Sequence, residues 1–296
     1  MKRSILLLSL FLVTAFSFAQ SSEKELINKT AIAETKAQDT LNMGWKRGGN
    51  FVFLFNQSAF NNDWRAGGTT NMAGNIGLNY DYNFKSPEMI WDNKFIVAYG
   101  LNKIKGANVQ KTDDRLEFTS LLGKKASGYW FYSAFLNFKT QMDSGNEATG
   151  LKISHFFSPA YLQAGPGLLW KKSDNLKVNF APATARMIFV HPHFTQLNSA
   201  FGVAQGDSSR FEFGAGIQGY YKFSLMENIS WENIVNLYSN YLEKPQNVDI
   251  DYQANVVMKV NKYISTNIAF QAIYDDNAVG AFQIREVFGL GVNYTF

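Results

Sequence analysis

The histidines at positions 155, 191 and 193 are the only imidazoles in 296 residues, and cysteine is absent. Without thiols, disulfide scaffolds, thiolate zinc sites, iron–sulfur ligation and cysteine nucleophiles are all excluded. Nucleophilic chemistry therefore falls to serine with histidine as base. The candidates are Ser154 with His155, and His191 or His193 with the loop serines Ser199, Ser208 and Ser209. Neighbouring residues of a strand point to opposite faces, so Ser154 and His155 cannot pair on a regular strand. His191-Pro192-His193 could ligate a metal with a loop carboxylate, but two histidines flanking a proline in a long loop read more simply as loop residues. No cofactor and no metal is expected, and a lipid hydrolase is the enzymatic alternative to a non-enzymatic role.

The remaining chemistry lies in charge. Lys+Arg total 28 and Asp+Glu 24, which is too near balance for a nucleic-acid footprint. The charged side chains are dispersed along segments that alternate with apolar residues, so the elements carrying them decide what they can do.

Lys2 and Arg3 precede an apolar run from Ile5 to Val13, and Ser17-Phe18-Ala19 supplies small residues where a signal peptidase cuts. Residues 1–19 thus read as a secretory signal peptide, with residues 20–47 as a polar periplasmic lead-in. The run is shorter than the ~20 apolar residues a spanning helix needs.

From Phe51 onward the period is two, and residues 48–296 read as the barrel domain. Between Asn71 and Phe84, Met72, Ile76, Leu78, Tyr80, Tyr82 and Phe84 oppose Asn71, Asn75, Asn79, Asp81 and Asn83. Similar alternation recurs at 210–223, 249–261, 265–275 and 288–296. Weaker alternation marks 50–58, 90–103, 113–123, 129–141, 151–170, 176–190 and 229–241. This pattern predicts an all-β, antiparallel, up-and-down transmembrane barrel of about twelve strands. Pro159 and Pro166 within 151–170 would permit a bulged or a split strand, and with it a count of fourteen. Short turns near 85–88, 124–128, 171–175, 226–228 and 261–263 alternate with longer loops near 59–69, 104–112, 142–150, 191–208, 242–248 and 276–281. That is the spacing of an outer-membrane barrel.

A soluble secreted barrel or sandwich would alternate too, with its apolar face inward. Strand length favours the membrane: these segments run well past the usual ~5–6 residues. Aromatic pairs Tyr82/Phe84, Tyr221/Phe223 and Tyr294/Phe296 fall at matching strand ends, where an interfacial girdle belongs. The opposite face would line the lumen. It carries Asp81, Asp92, Lys94, Arg115, Glu117, Lys139, Arg210, Glu212, Lys222, Glu232, Asp249, Asp251, Lys259 and Arg285. Mixed signs in a narrow barrel predict residues bridging one another across a nearly closed interior. The sharper reading is a selective channel, with Arg115, Arg210 and Lys259 opposed to Asp249 and Asp251. The last strand, with Phe288, Leu290, Val292, Tyr294 and terminal Phe296 on one face, looks like the signal by which the outer-membrane assembly machinery selects a client.

Several segments resemble a Bacteroidota outer-membrane barrel family of unknown function, domain-of-unknown-function family 3078. They are Phe55-Asn56-Gln57, Asn62 to Gly68, Ile90-Trp91-Asp92-Asn93, Tyr99-Gly100-Leu101, Lys111-Thr112-Asp113-Asp114-Arg115-Leu116 and Tyr129 to Tyr132. The resemblance implies an outer-membrane β-barrel and assigns no activity. The expected partners are outer-membrane lipids, the assembly machinery through the last strand, and other envelope proteins, with no nucleic acid. The expected role is a scaffold or accessory subunit, or a narrow channel.

Overall fold

The computed structural model describes residues 43–60, 69–146, 150–277 and 280–296. The signal peptide, most of the lead-in, and the stretch containing Trp64 lie outside the described residues. The strands are β1 (Gly44–Ser58), β2 (Asn71–Lys85), β3 (Met89–Ile104), β4 (Gln110–Ser127), β5 (Trp130–Thr140), β6 (Gly145–Asn146), β7 (Lys152–Ser154), β8 (Ala160–Ser173), β9 (Leu176–Phe189), β10 (Ser209–Met226), β11 (Ile229–Asn240), β12 (Asp249–Lys259), β13 (Ile264–Tyr274) and β14 (Gln283–Thr295). A four-residue helix, α1 (Pro192–Thr195), follows β9.

Twelve of these strands close into one antiparallel barrel in which each pairs with its neighbours in the chain, and β1 pairs with β14 across the seam. Closure gives each barrel strand a partner on both sides, which a β-structure needs if its outer surface is to meet hydrocarbon. Barrel strands run from 11 to 18 residues. The outward faces are apolar and solvent-accessible: Phe288, Leu290, Val292, Tyr294 and Phe296 are each more than half exposed. Such a surface in water would forfeit the stabilisation that burying apolar area gives, so it is built for an apolar surround.

The aromatic pairs lie where alternation predicted, at the end of the barrel that carries the short turns. Every described tryptophan joins them: Trp45, Trp91, Trp130, Trp170 and Trp231 all sit within the first or last few residues of their strands at that end. Trp45 stacks on Tyr82 with ring centroids 4.4 Å apart, and Trp91 lies 5.7 Å beyond.

The fourteen-strand alternative is corrected. Residues 151–159 do not extend a barrel strand; Lys152–Ser154 pairs with Gly145–Asn146 in a small separate sheet inside the 141–159 loop. The barrel strand starts at Ala160. Pro166 bulges it rather than splitting it. The ladder between β8 and β9 breaks between Ala164 and Leu168, opposite Pro182, where neither proline has an N–H to donate. Gly165 and Gly167 flank the irregularity because a Cβ there would stand 2.4 Å from the Ala183 carbonyl oxygen and 2.5 Å from that of Phe180.

Candidate functional site: the luminal bar and its chambers

The strand order places β4 and β12 six positions apart in the ring of twelve, on opposite walls. Lumen-facing side chains from these walls meet. Arg115 Nη1 on β4 donates to Gln253 Oε1 on β12 at 2.6 Å. Lys139 on β5 forms an ion pair with Asp251 on β12 at 2.9 Å, and Gln271 Nε2 donates to the other oxygen of that carboxylate at 2.8 Å. Arg285 on β14 pairs with Asp113 on β4 at 2.6 Å. Together these contacts form a bar across the lumen, towards its long-loop end.

A chamber of about 310 Å³ adjoins the bar on the long-loop side, bordered by Lys111, Asp113, Thr140, Gln141 and Tyr161. On the short-turn side lies a chamber of about 320 Å³. Its wall combines Asn and Gln side chains with Leu121, Phe135 and Leu169, which belong to a buried apolar cluster completed by Ile90, Phe131 and Ala181. Alternation did not reveal this cluster, because the inward positions of β3, β4, β5 and β8 read as a weak mixture of sizes rather than a polar face. Below it, Asp92 accepts from Lys171 at 2.9 Å and Lys177 at 2.7 Å, tying β3 to β8 and β9. Lys94 and Asp81 pair loosely at 3.5 Å. Glu232 accepts from Tyr220 Oη at 2.9 Å. Lys222 and Lys259 lie on the luminal side at the exposed short-turn ends of β10 and β12.

The predicted opposition of Arg115, Arg210 and Lys259 to Asp249 and Asp251 is corrected. Lys139 takes Asp251, and Asp249 is bonded by Arg186 on β9, a luminal residue that the sequence reading did not single out. Arg186 also pairs with Glu212 at 3.1 Å and lies over the Tyr238 ring, its guanidinium carbon 4.3 Å from the centroid. Arg210 turns to Glu212 at 2.9 Å and to Glu243 in the loop after β11 at 3.1 Å. The miss has a physical reason: residues near in the ring but far in sequence choose partners by reach across the lumen, which no sequence spacing encodes. Carboxylate oxygens of Asp249, Asp275 and Asp276 lie within 4.8 Å of one another at the long-loop end. Arg186 supplies a counter-charge to this group through Asp249.

The motif Lys111 to Leu116 divides its labour. Asp113 and Arg115 enter the bar, whereas Asp114 accepts from the Met142 and Asp143 amides at 2.8 and 2.9 Å. Lys111 donates to Asp114, to Gln141 and to the Asp143 carbonyl, so the 141–144 turn is fastened to β4. Outside the strands, Asp143 accepts from Tyr99 Oη at 2.8 Å and from the Ser144 amide, and these bonds hold its carboxyl below the usual carboxylate range.

The long-loop end is capped by the 190–208 segment, which packs Val190 and Val203 against Ile188 of β9. Residues 61–68 of the β1–β2 loop lie outside the described residues. The histidines gather in the capping region: the His155 ring lies 4.8 Å from that of His191 and 5.2 Å from Phe194. His191 Nδ1 accepts from the His193 amide and so caps α1. Ser154 Oγ donates to Gln141 Oε1 at 2.8 Å, and the Ser158 hydroxyl accepts from the His191 amide. These contacts lie within and between the 141–159 and 190–208 loops.

Residues 55–146 match the family described as Protein of unknown function (DUF3078). The match covers β2 to β5, and therefore Asp113, Arg115, Glu117 and Lys139 of the luminal network. No curated protein is similar in sequence. Among solved structures, the COG4313 outer membrane channel from Pseudomonas putida F1 is similar over 86% of this chain and 95% of its own, with 11% identity and a TM-score of 0.40. The translocator domain of the autotransporter NalP from Neisseria meningitidis is similar over 95% and 100%, with 10% identity and a TM-score of 0.35.

Proposed function

We propose that this protein is a non-enzymatic outer-membrane barrel of a Gram-negative bacterium, in the group Bacteroidota that the family resemblance implies, and that it is a narrow channel closed at rest. Its short-turn end faces the periplasm and its loops face outward. Outer-membrane lipids contact the apolar belt, and the assembly machinery reads the last strand from Phe288 to Phe296. Export by the Sec route follows from the leader in residues 1–19.

The observation that carries the channel reading is the bar itself. A luminal chamber lies on each side of it, and the bar is built from a few side-chain bridges. Side chains can swing aside without unfolding the barrel, whereas a lumen packed throughout would leave no path. Planar-bilayer recording of the full mature chain tests this. Wild type is expected to insert with brief or small openings, and an Arg115→Ala/Lys139→Ala variant to show stable openings of severalfold larger conductance. A double variant that inserts, folds and stays silent would instead favour a scaffold or accessory subunit of an envelope complex, and would send the search to co-purifying envelope proteins.

A further inference from the structure

The chamber on the short-turn side of the bar, at about 320 Å³, falls in the size range of small-molecule sites, which pair an apolar lining with a few placed polar groups. Leu121, Phe135 and Leu169 give it an apolar wall from β4, β5 and β8. Asp174, in the turn between β8 and β9, also borders it, and that side chain is 74% exposed, so the chamber reaches the rim of the short-turn end. A solute entering from that end meets the chamber before the bar.

The charged groups that border the chamber are all paired. Asp81 meets Lys94 at 3.5 Å, Asp92 meets Lys177 at 2.7 Å, Asp174 meets Lys171 at 2.9 Å and Glu117 meets Arg115 at 3.9 Å. An ionic ligand would have to break such a pair and leave one charge without its partner, which is costly away from water. The amides are in a different condition. Gln163 on β8 and Asn236 on β11 face the lumen, keep part of their surface open, and make no side-chain hydrogen bond among the described residues. Gln218 on β10 accepts at Oε1 from Asn179 Nδ2 at 2.7 Å, and its Nε2 has no acceptor among the described residues. A side-chain amide has one carbonyl acceptor and two N–H donors, so Gln163 and Asn236 present both functions and Gln218 adds donors, all without charge.

We propose that this chamber is a binding site for a neutral sugar of monosaccharide size in its pyranose form. A pyranose has the two surfaces that the chamber complements: C–H groups on a face of the ring, and hydroxyls round the rim that both donate and accept. The C–H face packs against Leu121, Phe135 and Leu169, and the hydroxyls bond the amides of Gln163, Asn236 and Gln218. Size, apolar wall, open amides and paired charges each select one part of that description. The proposal needs the chamber and not conduction, so a barrel that never opens can still bind, and loss of binding leaves the channel reading intact.

Isothermal titration of the full mature chain in lipid nanodiscs, with empty nanodiscs as reference, tests it. The probes are methyl glucopyranoside, tetrahydropyran-2-methanol, which keeps the ring but lacks the rim of hydroxyls, and the charged sugars glucuronate and glucosamine. The glucoside should bind saturably at one site, at least tenfold more tightly than each of the other three. Gln163→Leu with Asn236→Leu keeps the side-chain size and removes both open amides; glucoside affinity should fall at least tenfold, and that of tetrahydropyran-2-methanol should not fall. Phe135→Ala should weaken the glucoside as well. Heat-modifiable migration on gels confirms that each variant is folded. Equal glucoside affinity in wild type and the double variant, no saturable heat above empty nanodiscs, or preferred binding of either charged sugar or of tetrahydropyran-2-methanol would each overturn the assignment.

Discussion

Arg115 and Gln253 are 138 positions apart in sequence and sit on opposite walls of the barrel, yet their side chains meet at 2.6 Å inside the lumen. The Lys139–Asp251 pair lies beside them, each side chain less than a third exposed. Removing Lys139 leaves a carboxylate that has lost its counter-charge. Lys139→Met is therefore expected to cost about 1.5–3 kcal/mol, the range for hydrogen bonds to charged groups. Lys139→Met with Asp251→Asn should cost less than the sum of the two single changes. Urea unfolding of all four proteins in the same micelle measures that coupling, and strict additivity would mean the contact does not hold the walls together.

The apolar luminal cluster makes a different demand. Leu169 is fully buried among Ile90, Leu121, Phe131 and Phe135. Leu169→Ala should lower stability by roughly 2–5 kcal/mol, the range for cavity-forming core truncations. Leu168→Ala, one residue away on the exposed outer face, should cost far less in detergent. Comparing the two melting temperatures reads the direction of the pleat directly.

The proposed lipid contact sets a demand on the outward residues. Leu290 is 59% exposed and points away from the lumen in the middle of β14's apolar face. Leu290→Arg is expected to cost about 2–4 kcal/mol when refolded into bilayers, the range for arginine at the midplane of a barrel's lipid face. A substitution as well tolerated in vesicles as in micelles would contradict a membrane-facing β14.

Phe296 closes the seam through two backbone bonds with Gly49, at 2.9 and 3.0 Å. Deleting Phe296 removes both, along with the last aromatic of the terminal strand. The fraction of folded, heat-modifiable protein in isolated outer membranes is expected to fall severalfold, while the same variant refolds in detergent. An unchanged fraction in cells would remove this residue from the assembly signal.

For Asp143 the prediction concerns pH. The Tyr99 hydroxyl and then the Ser144 amide hold the folded carboxyl below its ordinary value. A folded value below the unfolded one means that these bonds add stability above the ordinary carboxylate range near pH 4 and lose it as pH falls through the lowered value. Carboxyl ¹³C NMR titration should find the Asp143 midpoint below about 3.9 and see it rise in Tyr99→Phe. If the midpoint ignores loss of the hydroxyl, the loop contact is not formed in solution.

Residue types alone determined the barrel. Alternation at Asn71–Phe84 and Phe288–Phe296 fixed which face of each strand is apolar, because successive side chains of a strand must point to opposite sides. The turns and loops followed from where alternation stops, and the luminal placement of Asp92, Arg115, Glu212 and Asp251 followed from the same period. The sequence could not choose the partners. Arg115 finds Gln253 and Arg186 finds Asp249 because closure of the ring brings distant strands within one side chain's length. The short separations that make helix and hairpin pairs legible do not exist across a lumen. Tertiary structure also decided that Leu121, Phe135 and Leu169 turn inward together, and that Arg115 keeps only a long ion pair with Glu117 while it bonds Gln253 on the far wall. Those outcomes depend on how strands from opposite walls share one narrow space, where each side chain's contacts are set by what the far wall offers.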